Sequence, residues 1–392
     1  MKSNYKKLGD FIQQVKKRNN DNILTVDNLR GINISKEFMP SVANVTGTDL
    51  SVYKVVEKNQ FAYNPMHVGR DEVLPISMLV NEDKVIVSPA YVIFEIVDTD
   101  KLLPEYLMIW CRRREFDRNA WFTTDSSVRG GFNWEDFCDL ELPVPSLEKQ
   151  KEIIKEYHII TDRIKLNEQV NQKLEDIAQS IYKEWFVNFE FPDENAKPYK
   201  SNGGEMVYCE ELEMEIPFSW KVEFLGTLSI IKAGGDRPNI FSLEENAICN
   251  IPIYSNSLTN RGLFGFTNKA TILNNSITIS ARGEVGYTEL RLEKFVPIVR
   301  LLVVTPINYD LLLYLYYFLK NFNHNDSGSA QKQLTKPDIE IYKVLFPNIE
   351  VIILFQEKVM KIKKYIEINN KEKKIFLKLK EVLLSKMATI EG

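Results

Sequence analysis

Apolar positions follow two different rhythms along this chain. Over residues 152–186 there is no proline or glycine, and apolar side chains recur every seven residues. Tyr157, Ile164, Ala178 and Trp185 hold one position of the heptad, and Ile153, Ile160, Leu174 and Ile181 the other. The rhythm returns over residues 354–387, with Phe355, Ile362, Phe376 and Leu383 on one seam position. Val359, Ile366 and Met387 hold the second, which Lys373 and Lys380 interrupt. A 3.5-residue period marks a coiled-coil seam, so two long helices are predicted, each roughly 50 Å long at 1.5 Å per residue. Packing them on each other buries both seams, and the chain's return between them predicts an antiparallel pair. Asn167 and Asn369 fall at equivalent places on the seams. A seam Asn either fixes register and partner at a cost in stability or marks a solvated gap, and both alternatives stay open.

Outside the helices the pattern shortens. Residues 52–56, 85–88 and 91–97 are rich in Val, Ile and aromatics and predict strands, as do 277–280 and 295–304 in the second half. Short helices are predicted over 104–116, with Pro104 at the start, and over 310–320. Segment 191–217, rich in Glu, Asn, Pro and Gly, reads as a linker or hairpin.

The two rhythms occur twice. Ser127-Val128-Arg129 is followed by Phe137, Pro145, Leu147 and Glu148; Ser329-Ala330-Gln331 is followed by Ile339, Pro347, Ile349 and Glu350, each pair 202 residues apart. The offset continues from Ile160 and Ile362 to Ile181 and Leu383, and Leu8-Gly9-Asp10 is echoed by Leu225-Gly226-Thr227. A duplicated unit follows. The expected organisation is mixed α/β: a first globular domain (1–148), a central helix (149–190), a linker (191–218), a second globular domain (219–350) and a distal helix (351–392), with a pseudo-two-fold internal repeat.

Composition narrows the function. The chain has 392 residues, a formal net charge of −4 and a pI near 5.7, so a nucleic-acid site must be a local patch on an acidic background. Cys111, Cys138, Cys209 and Cys249 form no C-x-x-C pair, which fits a reducing compartment and argues against a zinc site. The N-terminus lacks an apolar signal core, and the longest apolar run, 311–319, is too short to span a bilayer. A soluble, cytoplasmic protein is expected. Gly-rich phosphate loops are absent. Asn64-Pro65-Met66-His67 approaches an amino-methyltransferase loop but lacks the second proline and the aromatic, and reads as a turn. Pro337-Asp338 with Glu340 and Lys343 is too tightly spaced for a nuclease magnesium site and reads as the start of a helix or strand. No catalytic residue, metal site or cofactor is therefore assigned to this chain.

Binding residues are sought among cations and amides near turns. Arg holds guanine O6 and N7 with two bonds, and Asn or Gln does the same for adenine N6 and N7. The candidates are Asn64, Arg70, Ser127 and Arg129 in the first half, and Lys232, Arg237, Asn256, Arg282, Gln331 and Lys332 in the second. Each also has an ordinary reading as solvated surface. Arg129 and Gln331 stand out because they occupy equivalent repeat positions. Arg112-Arg113-Arg114 is set aside as part of a helix that packs on its own domain. Residues 356–386 hold ten Lys against four Glu, which suits partner docking and solvation better than direct DNA contact.

Four stretches carry a family resemblance. Val87-Ser88-Pro89-Ala90-Tyr91-Val92-Ile93-Phe94 resembles a strand of the first recognition domain in the specificity (S) subunits of type I restriction–modification systems. Leu142-Pro143-Val144-Pro145-Ser146-Leu147-Glu148-Lys149-Gln150 resembles the lead-in to the family's central helix. Thr278-Ile279-Ser280-Ala281-Arg282-Gly283-Glu284-Val285-Gly286 resembles part of its second recognition domain. The most specific match is residues 174–186, Leu-Glu-Asp-Ile-Ala-Gln-Ser-Ile-Tyr-Lys-Glu-Trp-Phe, with Phe189 and Pro192 after it. Pro347-Asn348-Ile349-Glu350-Val351-Ile352-Ile353 departs from the usual Pro-Leu-x-Glu-Gln lead-in.

The resemblance implies two target recognition domains on an antiparallel coiled-coil spacer, reading a bipartite asymmetric site in double-stranded DNA. It implies two methyltransferase (M) subunits and restriction (R) subunits as partners, with S-adenosylmethionine, ATP and Mg on those partners, and no membrane. The competing expectations are a coiled-coil adaptor that binds only proteins, a DNA-mimic inhibitor, and a single-chain methyltransferase or nuclease.

Overall fold

A computed structural model describes residues 5–42, 47–66, 72–123, 131–324 and 333–389. The fold is mixed α/β. The chain forms two compact units, one of residues 1–168 and 370–392, the other of residues 169–369.

Both units repeat one plan. In the first, a four-stranded antiparallel sheet runs in the order Ile12–Val15, Val92–Ile96, Phe61–Tyr63, Ile76–Met78. In the second, the order Ser229–Ala233, Leu302–Pro306, Ser276–Ile279, Thr288–Arg291 reproduces it strand for strand. A short strand precedes each sheet and pairs with one from the end of the unit: Tyr5–Lys7 with Glu141–Pro143, and Lys221–Phe224 with Lys343–Phe346.

Equivalent braces hold the two copies. Tyr106 donates its hydroxyl to Pro143 O at 2.9 Å, and Tyr314 donates to Leu345 O. Gly9 lies so close to Cys138 that a Cβ would sit 2.8 Å from the Cys138 Cβ, and Gly226 faces Glu340 in the same way at 3.2 Å. Buried Gln150 accepts from Leu103 N at 2.9 Å, satisfying an amide at the start of helix Pro104–Cys111. Gln356 accepts from Leu313 N at 3.0 Å, at the start of helix Leu312–Asn321. Within the distal helix Gln356 stands one turn later than Gln150 does in the central one. The atypical lead-in after Pro347 thus displaces this glutamine by a turn and keeps its task.

The central helix runs Leu147–Tyr182, continues through a wide turn over Lys183–Val187, and the distal helix runs Ile349–Lys386. In each unit their segments pack antiparallel. In the first unit Ile153 and Tyr157 share a core with Leu383, Leu384 and Met387. Asn167 donates to Glu372 at 2.7 Å, and Glu168 pairs with Lys373 at 2.5 Å. In the second, Ala178, Ile181 and Tyr182 pack with Phe355, Val359 and Ile362. There Asn369 donates to Asn171 at 2.9 Å. The predicted seam residues Ile160, Ile164, Leu174, Ile366 and Phe376 are only half buried. Two polar residues are buried along the helix contact: Asn167 is 4% exposed and Lys363 7%. Lys363 and Lys320 both pair with Glu175 at 2.6 Å.

Two predicted elements differ, and a third, the linker or hairpin of 191–217, takes the hairpin form. The helix expected over 104–116 breaks at Arg112 and Arg113 into Pro104–Cys111 and Arg114–Thr123, because Arg112 bonds back to the carbonyls of Ser35 and Lys36 and Arg113 is buried. Segment 191–217 is folded: Met206–Cys209 and Met214–Pro217 form a hairpin, and Phe191 stacks on Tyr199 and Trp220 at 4.6 and 5.0 Å. The strand expected over 295–304 is two strands, Val296–Pro297 and Leu302–Pro306, separated by a turn at Val299 and Arg300.

Candidate nucleic-acid interface

In the second unit the polar residues nominated by type fall into one neighbourhood. Asn256 accepts from Ala281 N at 2.8 Å through Oδ1 and donates to Val299 O at 2.6 Å through Nδ2. It thereby ties the hairpin after strand Ser276–Ile279 to the turn after Val296–Pro297. Arg282, next to Ala281, is exposed and donates to Gln333 Oε1 at 3.0 Å. Gly234 and Gly235 accept from Arg300 N and Val299 N at 3.0 and 2.9 Å. Arg237 follows on the same stretch, exposed, its guanidinium 4.0 Å from the Phe241 ring centroid. Lys232, exposed, precedes Gly234 on the edge strand Ser229–Ala233. Lys232, Arg237, Arg282 and Arg300 form no ion pair among the described residues. A group of cations without acidic partners suits a phosphate backbone.

Two observations refine the sequence-based nominations. Both polar atoms of Asn256 are engaged internally, so its role in the structure is bracing. Arg300 and Gln333 were not nominated: Arg300 sits inside what the sequence presents as a strand, and Gln333 carries no turn signal.

In the first unit Asn64 accepts from Met66 N at 3.0 Å, an Asx turn, as expected for the Asn-Pro-Met stretch. Arg70, Ser127, Arg129, Gln331 and Lys332 lie outside the described residues. What the structure adds here is a cleft of about 390 Å³ lined by Glu72, Val73, Arg114, Asp117, Arg118, Trp121 and Phe122. Its aromatic wall is exposed, Phe122 by 70%, with Trp121 at 5.2 Å between ring centroids. Asp117 is committed to the buried Lys36 ammonium at 2.7 Å, and Arg114 pairs with Glu381 at 3.2 Å. The candidate surface of the first unit thus offers aromatic faces and Arg118, and that of the second offers cations on turns.

Among the described residues no group of three His, Cys, Asp or Glu side chains is placed to hold a metal ion. None of the described helices is long and apolar enough to cross a membrane. The capping box at Thr335, which accepts from and bonds to Asp338, explains the Pro337-Asp338 motif as a helix start.

Residues 217–380 match the model of the type I restriction modification DNA specificity domain. The type I restriction enzyme MjaIX specificity subunit of Methanocaldococcus jannaschii is 24% identical over 311 residues, covering 74% of this chain and 70% of that protein. The chain is similar to the specificity subunits of type I restriction–modification systems. A putative type I specificity subunit of Mycoplasma pneumoniae, S.MpnORF507P, is 25% identical over 232 residues, 58% of this chain and 57% of its own. The crystal structure of a type I restriction-modification S subunit from M. genitalium shares the fold across 99% of this chain and 96% of its own, with a TM-score of 0.60 and 14% identity.

Proposed function

We propose that this chain is the subunit that reads DNA sequence and directs methylation and restriction by partner subunits to a bipartite, asymmetric target. The observation that carries the reading is one strand order used twice beneath different exposed side chains. The shared plan supports two readers of the same kind. The unlike surfaces, aromatic with Arg118 in one unit and cationic turns in the other, support two different half-sites. Phosphate contacts position such a protein and base-edge contacts specify its target.

Methyl transfer and cleavage fall to the partners in this reading, and the chain supplies no catalytic group. Two methyltransferase subunits carrying S-adenosylmethionine, and restriction subunits using ATP and Mg, fit the family. Both long helices have apolar residues on a second, exposed face. These are Ile159, Leu166, Val170 and Ile177 on the central helix, and Tyr365, Ile368, Ile375, Leu379 and Val382 on the distal one. Spacings of three, four and seven residues put them on one stripe per helix, as expected where a partner helix docks. Exposed lysines of residues 356–386, among them Lys364, Lys371, Lys374 and Lys378, lie on the same stretch as the distal stripe.

The test is selection from random duplexes by the chain assembled with its methyltransferase subunits. The expected enrichment is two unlike sequence blocks separated by a fixed unread gap. Binding without sequence preference overturns the proposal and favours a protein-only adaptor.

A further inference from the structure

Val299 and Arg300 form an exposed turn of the second unit. Both lie in the left-handed region, with φ of 53° and 59°, and Leu301 N donates to Ile298 O at 3.1 Å. This is the geometry of a type I′ turn, whose two central positions favour Asn and Gly. A β-branched valine there is an outlier that its surroundings must impose.

The surroundings do so group by group. Val299 N and Arg300 N donate to Gly235 O and Gly234 O, and Gly234 N donates to Leu301 O at 2.8 Å. Val299 O accepts from Asn256. Gly234 is needed for this approach, since a Cβ there would lie 2.8 Å from Ile298 N. Both central N–H groups of the turn and the Val299 carbonyl are thus spent on the protein, and both side chains are exposed, Val299 by 51%. The Arg300 guanidinium has no hydrogen-bond or ion-pair partner among the described residues. Asp236, exposed and next to Gly235 in the chain, forms no ion pair with it.

A contact to phosphate needs no such rigidity; a long side chain or a free backbone N–H suffices. A backbone clamped in an unfavourable conformation preserves the direction of its side chains, which is what reading a base edge requires. We propose that this turn is a specificity-determining tip of the second unit, with Arg300 donating its fork to guanine O6 and N7 in the major groove and Val299 packing against an adjacent base, a thymine methyl suiting it best. Asn256 and Gly234 are positioning residues. This inference rests on the DNA-reading function proposed above.

The experiment is the same selection with the assembled complex carrying Arg300→Ala, Arg300→Lys, or the double change Val299→Asn with Arg300→Gly. The double change installs the preferred type I′ residues and is expected to melt no lower than the wild type, so lost reading cannot be ascribed to lost folding. All three variants are expected to lose about ten- to hundredfold discrimination at one base pair of one block, with the other block intact. Relaxation at one position is the signature of a base contact, whereas a fall of about 1 in the salt slope with uniform weakening is that of a phosphate contact. Unchanged motifs in all variants overturn the inference, and so does uniform weakening without relaxation at any position, which marks a phosphate contact. Absence of a motif in the wild type instead overturns the function on which it rests.

Discussion

Asn256 and His324 brace the exposed hairpins of the second unit. Replacing Asn256 by Ala leaves Ala281 N and Val299 O without their partner, and we expect a loss of about 1–2 kcal/mol in denaturant unfolding. Asn256→Asp keeps the bond from Ala281 N and forfeits the one to Val299 O, so it should fall between. His324 packs against Gly286, where a Cβ would lie 2.5 Å from the ring. Its Nε2 donates to Leu319 O at 2.9 Å, and its Nδ1 lies 3.1 Å from the Tyr342 hydroxyl, which donates to it. Burial outweighs the carbonyl contact and holds this imidazole below its usual 6.5. The folded unit therefore binds the proton less readily than the unfolded chain. Its stability is full above pH 6.5 and falls as the pH drops from there through the depressed value. Unfolding measured across that window should show the slope in the wild type and lose it in His324→Gln; an identical slope in both would assign it elsewhere. Neither role was legible in the sequence. Asn256 looked like a base reader because residue type reveals chemistry but not whether that chemistry is already used.

The helices were the most legible elements, because a heptad is a local pattern that packing follows. Beyond the two seam asparagines, what the heptads did not reveal is the buried ion pair of Lys363 with Glu175. Lys363 is adjacent to the expected seam residue Ile362, and its burial depends on Glu175, 188 residues away. Burial pushes the Glu175 carboxyl up, but Lys363 and Lys320 outweigh this and hold it below its usual value. Glu175→Gln leaves the Lys363 ammonium buried without a counter-charge. It should cost about 3 kcal/mol, most of it recovered by adding Lys363→Met, as a double-mutant cycle would reveal. The outer stripe makes a separate prediction: Ile375→Glu with Leu379→Glu should abolish assembly with the methyltransferase subunit while the melting temperature stays near that of the wild type. Full assembly by the variant would remove the stripe from the interface. The turn at Val299 and Arg300 marks the limit of pattern reading. A run of Val, Ile and Leu from 295 to 304 predicts a continuous strand, and only the clamp from Gly234, Gly235 and Asn256 breaks it.

At the scale of the whole chain, the duplication was visible as a 202-residue offset, and the repeated strand order and paired braces at Tyr106 and Tyr314 explain why it survived. These positions build the frame, so their chemistry is constrained alike in both copies. The exposed side chains are free to differ, and they do. Under the proposed function, such a molecule reads two unlike half-sites and leaves the chemistry to its partners. The most direct test is sequencing of methylated adenine in the DNA of cells carrying the cognate methyltransferase subunit, with and without this chain. A bipartite motif present with the chain and lost without it is the predicted result. A methylation pattern that is the same in both, although the complex still forms, would contradict the account.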